Sequence, residues 1–214
     1  MVLIFDMDGV IVENHLWHFE AWVEFGRRHN IIITKEDFSR QFGSTNQQVM
    51  NSLFGDTLSA RDIAILSDEK EFIYREIYLP HIHPGKGLPE FLKYTSAKNI
   101  SMALATSAPY ENVIFTLEAT GLQKYFEVIT DSSMVSRGKP DPEVYLTTAA
   151  KLGVKPADCI VFEDSIPGIL SATNAGMRVI GVATTHNPDE LLMYVNEIIM
   201  NFDAAERVVF DEWV

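Results

Sequence analysis

Short apolar runs recur along this chain, and chemically capable residues stand where they stop. The runs are Val2-Leu3-Ile4-Phe5, Ser101-Met102-Ala103-Leu104-Ala105, Val128-Ile129-Thr130, Cys159-Ile160-Val161-Phe162 and Val179-Ile180-Gly181-Val182. They do not alternate apolar with polar, so each suits a strand covered on both faces, as in a parallel sheet. Between them lie stretches with one apolar face. Residues 88–97 show it through Leu88, Phe91, Leu92 and Tyr94, and residues 110–119, 142–152 and 167–175 are similar. Strand and helix in alternation predict an α/β fold, a doubly wound parallel sheet with helices on both faces.

One interval breaks the rhythm. Residues 13–80 carry helical patterns at 16–29, 46–54 and 62–78, with a single β-like run at 31–33. They read as a helical cap inserted after the first strand, leaving residues 1–12 and 81–214 as the α/β core. Segments 12–15 and 79–84 are expected to form a two-strand hinge, and 206–214 a final strand and tail.

Composition narrows the partners. Counting 17 Lys+Arg against 30 Asp+Glu gives a net charge of −13, which repels nucleic acid and anionic membrane surfaces. A phosphate substrate remains open, because a metal ion and a few donors can reverse the sign of one pocket. The lone cysteine, Cys159, excludes an internal disulfide and reads as a small apolar filler of a buried strand. With no signal-peptide pattern and no apolar run of spanning length, the expected location is the cytoplasm. Monomer and homodimer stay open.

In an open parallel sheet, ligands bind beyond the carboxyl ends of the strands. Those ends, or the loops after them, carry Asp6 and Asp8, Thr106 and Ser107, Lys139, and Glu163 with Asp164. Acids at i and i+2 in extended chain point the same way, and Gly9 lets the backbone turn at once. Phosphoryl transfer needs such groups. A carboxylate attacks phosphorus, a second carboxyl group moves the proton, and magnesium takes oxygen ligands. A lysine and a hydroxyl neutralise the phosphoryl oxygens.

Four segments, in chain order, carry a resemblance: Phe5-Asp6-Met7-Asp8-Gly9-Val10, the apolar strand into Thr106-Ser107, Gly138-Lys139-Pro140-Asp141-Pro142, and Phe162-Glu163-Asp164-Ser165. Together they resemble the signature motifs of the haloacid dehalogenase-like superfamily, across essentially the whole chain. The resemblance implies Asp6 as nucleophile, Asp8 as general acid/base, Thr106 and Ser107 as phosphate holders, and Lys139 as the bridge between nucleophile and phosphoryl group. It implies magnesium on Asp6, the Asp8 backbone carbonyl and Asp164, with Glu163 as a ligand or an acceptor just behind it. The substrate implied is a small phosphorylated metabolite.

A helical cap after the first motif is similar to the subgroup of beta-phosphoglucomutase and small sugar-phosphate phosphatases. Trp17-His18-Phe19-Glu20-Ala21-Trp22 resembles the opening of the mutase cap, and Lys70 could match a cap lysine of that enzyme. Where the mutase carries a phosphate-binding arginine after the cap glycine, here Gly43-Ser44-Thr45 leads to Asn46. Arginine's fixed fork suits the distal phosphate of a bisphosphate, and Asn46 carries no charge. The expectation is therefore hydrolysis of a sugar or polyol phosphate, with His18, Asn46 and Lys70 near the substrate and residues 44–48 facing it. A hexose phosphate isomerase and a non-catalytic binding protein are the alternatives. His81-x-His83 is read as an exposed linker, His186 as a solvated loop, and Trp213 as covering a core edge or an interface.

Overall fold

The apolar runs become adjacent strands because only mutual pairing, with helices on both faces, satisfies their backbones and side chains together. The computed structural model describes residues 1–41, 46–55 and 57–211. In chain order it contains β1 (Val2–Phe5), α1 (His15–Arg28), α2 (Lys35–Gln41), α3 (Asn46–Phe54) and α4 (Ala60–Tyr78). These are followed by α5 (Leu88–Ala97), β2 (Met102–Ala105), α6 (Tyr110–Thr120), β3 (Val128–Thr130) and α7 (Glu143–Leu152). The chain then forms β4 (Cys159–Glu163), α8 (Ile166–Asn174), β5 (Arg178–Val182), α9 (Pro188–Leu191) and β6 (Glu197–Ile199).

All strand pairs are parallel, in the order β3-β2-β1-β4-β5-β6. The doubly wound α/β class expected from the sequence is the one observed. The central strand β1 sets the register, with Ile4 opposite Ala103 on one side and Val161 on the other. Strand parity then divides the core. Val2, Ile4, Cys159 and Val161 share one cluster with Val144, Tyr145 and Ala149 of α7. Phe5 and Phe162 face the other way, stacked at 4.8 Å, with Phe91 and Phe202 edge-on or tilted against them. Cys159 is a fully buried free thiol in that packing.

The chain divides into two compact units, Met1–Glu13 with His83–Val214, and Asn14–Ile82. The second unit is helical, and α1 packs along α4. A capping box at Ser59 and Asp62 starts α4, each side chain bonding the other's backbone N–H.

Several local expectations fail, for local reasons. Residues 31–33 form no strand; Ile31 N–H instead closes onto the Gly26 carbonyl after α1. Leu79–His81 is a short 3₁₀ turn rather than half of a strand pair, since Pro80 supplies no ladder donor. On the other side of the expected hinge, Val12 makes an isolated bridge to Asp8 and Asn14 already precedes α1. The final strand is β6, and Arg207–Asp211 is π-helical. Residues 43–45 and Trp213 lie outside the described residues. Helix α2 was not anticipated, although Thr34 and Asp37 exchange side-chain and backbone bonds as a cap. Among the described residues, no helix is long and apolar enough to cross a membrane.

Candidate active site

Strand parity builds the site. Asp6 follows Val2 and Ile4, Glu163 follows Cys159 and Val161, and both continue toward the face that α7 covers. Register places the two acids side by side, because Phe5 is paired with Phe162. Lys139 enters from the loop before α7, and its Nζ donates to Asp6 Oδ1 at 2.7 Å and to Glu163 Oε1 at 2.5 Å. The Tyr145 ring lies 5.0 Å from that ammonium, and its hydroxyl donates to Glu163 Oε1 at 3.0 Å.

The loops are pinned by their own polar groups. The Glu143 carboxylate accepts the Ser136 and Arg137 N–H groups, Asp141 accepts the Glu143 N–H, and the Ser171 hydroxyl donates to the Asp141 carbonyl. Ser165 caps α8, accepting from the Gly168 N–H, while its own N–H and hydroxyl donate to Glu163 Oε2 at 2.9 and 3.0 Å. After β1 the chain turns sharply, with the Met7 carbonyl accepting from Ile11 and Gly9 N–H donating to the Val12 carbonyl. Gly9 has φ +84, and a Cβ there would overlap the Asp164 carboxylate. After β5, Thr184 donates to the Gly9 carbonyl and Thr185 to Asp164 Oδ2.

Thr106 is buried at the end of β2, its N–H bonded to the Thr130 carbonyl and its hydroxyl accepting the Ala108 N–H. Ser107 beside it and Asp8 beyond β1 are both half-buried. All these candidates belong to the larger unit.

Charge in the cluster is unbalanced. Asp6, Glu163 and Asp164 are buried with Lys139 between the first two. Burial pushes the Asp6 carboxyl up to about 7; Glu163 and Asp8 add to that and Lys139 opposes it. Asp164 is held well above the ordinary carboxylate range, first by burial and then by Glu163 and Asp6. Burial alone would lower Lys139, but the charges of Asp6 and Glu163 hold it well above its ordinary value. Burial likewise raises the Tyr145 hydroxyl, with Glu163 adding to it.

This donor set fits a hard cation. One oxygen from each of Asp6, Glu163 and Asp164 lies within 4.8 Å of the others, and oxygen-only carboxylate ligation suits magnesium. A bound dication would also offset the repulsion from neighbouring carboxylates that adds to burial in raising Asp6 and Asp164. Among the described residues this is the one such grouping, so His81 and His83 make none. His81 stacks on Trp17, His83 Nδ1 approaches the Pro84 carbonyl, and His186 approaches Glu190.

The cap candidates cluster with one another in the smaller unit. Lys70 Nζ lies 3.0 Å from His18 Nδ1 and 2.9 Å from Glu71 Oε1, and Asn46 Nδ2 donates to the same Glu71 oxygen at 2.8 Å. His18 stacks on Tyr74, and the Lys70 ammonium lies over Trp22.

Sequence reasoning missed Tyr145, Ser165, Thr184, Thr185 and Glu71 as parts of these networks. Ser165 was findable, because a serine before Ile166-Pro167 reads as a helix cap. Tyr145 was not, since an aromatic on an amphipathic helix reads as core.

The model of the family described as haloacid dehalogenase-like hydrolase matches residues 3–182. A phosphorylated carbohydrates phosphatase of Thermotoga maritima is 31% identical over 202 residues, covering 92% of each chain. A beta-phosphoglucomutase of Bacillus subtilis is 30% identical, covering 84% of this chain and 82% of that enzyme. The crystal structure of a HAD hydrolase, family IA, variant 3, from Entamoeba histolytica superposes with a TM-score of 0.87 at 30% identity, covering 94% of this chain and 93% of the other.

Proposed function

The chain belongs to the haloacid dehalogenase-like hydrolases, in their beta-phosphoglucomutase-like subgroup, and from that premise we propose that it hydrolyses a small sugar or polyol phosphate through an aspartyl-phosphate on Asp6. The observation that carries this reading is the buried pairing of Lys139 with Asp6 and Glu163 beside a further buried carboxylate at strand ends. Magnesium, when bound by Asp6, the Asp8 carbonyl and Asp164, with Glu163 as ligand or backing acceptor, supplies neutralisation of the phosphoryl oxygens.

Asp6 carries one oxygen bonded to Lys139, which leaves the other to attack phosphorus in line with the departing oxygen. Asp8 protonates that oxygen, then takes the proton from the water that cleaves the acyl phosphate. Lys139 uses its remaining N–H on the phosphoryl group, and Thr106 with Ser107 holds another of its oxygens. His18, Asn46 and Lys70 recognise the part of the substrate beyond the phosphate.

A phosphate-transferring isomerase is the second reading, because a mutase stands among the relatives at 30% identity. Hydrolysis is favoured by the cap. There the Lys70 charge is already met by Glu71, and Asn46 bonds the same carboxylate, so no free cation remains in this group for a second phosphate. The deciding experiment is phosphate release from a panel of sugar and polyol phosphates with magnesium, run beside Asp6→Asn. Release that disappears in Asp6→Asn is expected. Conversion of a hexose 1-phosphate to its 6-phosphate with added bisphosphate, and no release, would establish the isomerase instead.

A further inference from the structure

The Glu163 carboxylate is already full. A carboxylate offers about four lone-pair positions to donors or metals. Oε1 accepts from Lys139 Nζ at 2.5 Å and the Tyr145 hydroxyl at 3.0 Å; Oε2 accepts from the Ser165 N–H at 2.9 Å and the Ser165 hydroxyl at 3.0 Å. The group is also seated sterically, because a Cβ on Gly168 in the first turn of α8 would overlap it. Its neighbours differ. Among the described residues, Asp6 accepts from Lys139 on Oδ1, and Asp164 from Thr185 on Oδ2, so each carboxylate keeps lone pairs for a cation.

We propose that Tyr145 is a positioning residue of this site: with Ser165 it fills the Glu163 carboxylate, which thereby acts as the fixed counter-ion holding Lys139 against Asp6 and stays off the magnesium ion. This rests on the phosphatase reading and chooses between the two places that reading leaves open for Glu163.

Tyr145 acts twice on the lysine. Its hydroxyl fixes the oxygen that Lys139 grips, and its ring lies 5.0 Å from the ammonium. An ammonium has three N–H donors. With Asp6 and Glu163 taking two, the third is aimed by the geometry of those two bonds rather than by the flexible stem. Losing the tyrosine hydroxyl opens a lone pair on Oε1 and lets the lysine drift, while the packing of the ring survives.

The test is Tyr145→Phe, read three ways. Phosphate release should show kcat reduced about tenfold, the kinetic equivalent of one hydrogen bond to a charged group, with KM within about twofold of wild type. The thermal midpoint should stay close to wild type, since the ring remains. A lowered midpoint with unchanged kcat would mean that Tyr145 is only core, and would overturn the inference. The third reading needs no turnover. In a crystal structure of the wild-type protein soaked with magnesium, Glu163 should keep its bonds to Lys139, Tyr145 and Ser165. A Glu163 oxygen at about 2.1 Å from the ion would overturn the inference. Release that persists in Asp6→Asn would sink the phosphatase reading itself, and the soaked structure would still decide the place of Glu163.

Discussion

Each of the two units buries a lysine against acid, and the surroundings differ. Lys139 in the α/β core sits between Asp6 and Glu163, with Asp164 buried beside them. Lys70 in the helical unit pairs with Glu71, with His18 and Asn46 in the same group. The core cluster therefore carries surplus negative charge, which adds to burial in pushing Asp6 up to about 7, whereas Lys70 and Glu71 form an ion pair of one charge of each sign. A surplus of buried negative charge calls for a cation. Charge balance, rather than the presence of a buried lysine, is what makes the core cluster the candidate for a metal ion.

The largest effect should come from Asp6, the proposed nucleophile. Asp6→Asn is expected to lower phosphate release by on the order of 10⁴-fold or more, as loss of a covalent nucleophile does, while Lys70→Met should act mainly on KM. Comparable losses in kcat from both would erase the distinction between the clusters.

Next comes stability. Lys139→Met leaves two buried carboxylates without their counter-ion and should cost about 3–5 kcal/mol in urea unfolding without metal. Lys70→Met leaves one carboxylate that Asn46 still bonds, and should cost about half as much. Equal losses would show that the surplus charge carries no weight.

Magnesium should stabilise the protein by about 3 kcal/mol at a hundredfold excess over its dissociation constant. The gain should grow with pH. Asp6 has an ordinary value of 3.8 and a folded value of about 7, so between them the folded state holds the extra proton. Without metal its contribution is present below about 4 and lost as pH rises through about 7. Thermal midpoints at pH 5 and 7.5, with and without magnesium, check this. A metal-induced shift that is the same at both values contradicts it.

The smallest effect sharpens the contrast. Lys70→Met with Glu71→Leu removes the cap pair together and should change stability by no more than about 1 kcal/mol, since a buried pair replaced by apolar side chains is often neutral. No such paired replacement exists for Lys139, because Asp164 and one further acid would remain.

Much of this was legible in the chain. Runs such as Val2-Leu3-Ile4-Phe5 and Cys159-Ile160-Val161-Phe162 can satisfy their apolar character only as buried parallel strands, so the α/β class followed from pattern alone. Periodicity and flanking turn residues agree in predicting helices 46–54 and 88–97, at the bounds they have. β6 was not legible: Glu197-Ile198-Ile199 is short and starts with a charge, and it is a strand because β5 offers it an edge and Arg178 pairs with Glu197. The short β-like run at 31–33 failed for the opposite reason, having no strand edge to pair with among the described residues of its unit.

Which residue types stand at the strand ends is written in the chain, since composition and spacing are local properties. Asp6, Lys139, Glu163 and Asp164 stand out from their local setting alone. How their charges and lone pairs are shared is settled by the folded arrangement. That Lys139 bridges Asp6 and Glu163, that Tyr145 and Ser165 fill Glu163, and that Thr185 reaches Asp164 depend on parity, register and burial. The interactions span up to 133 positions, and no local pattern encodes them.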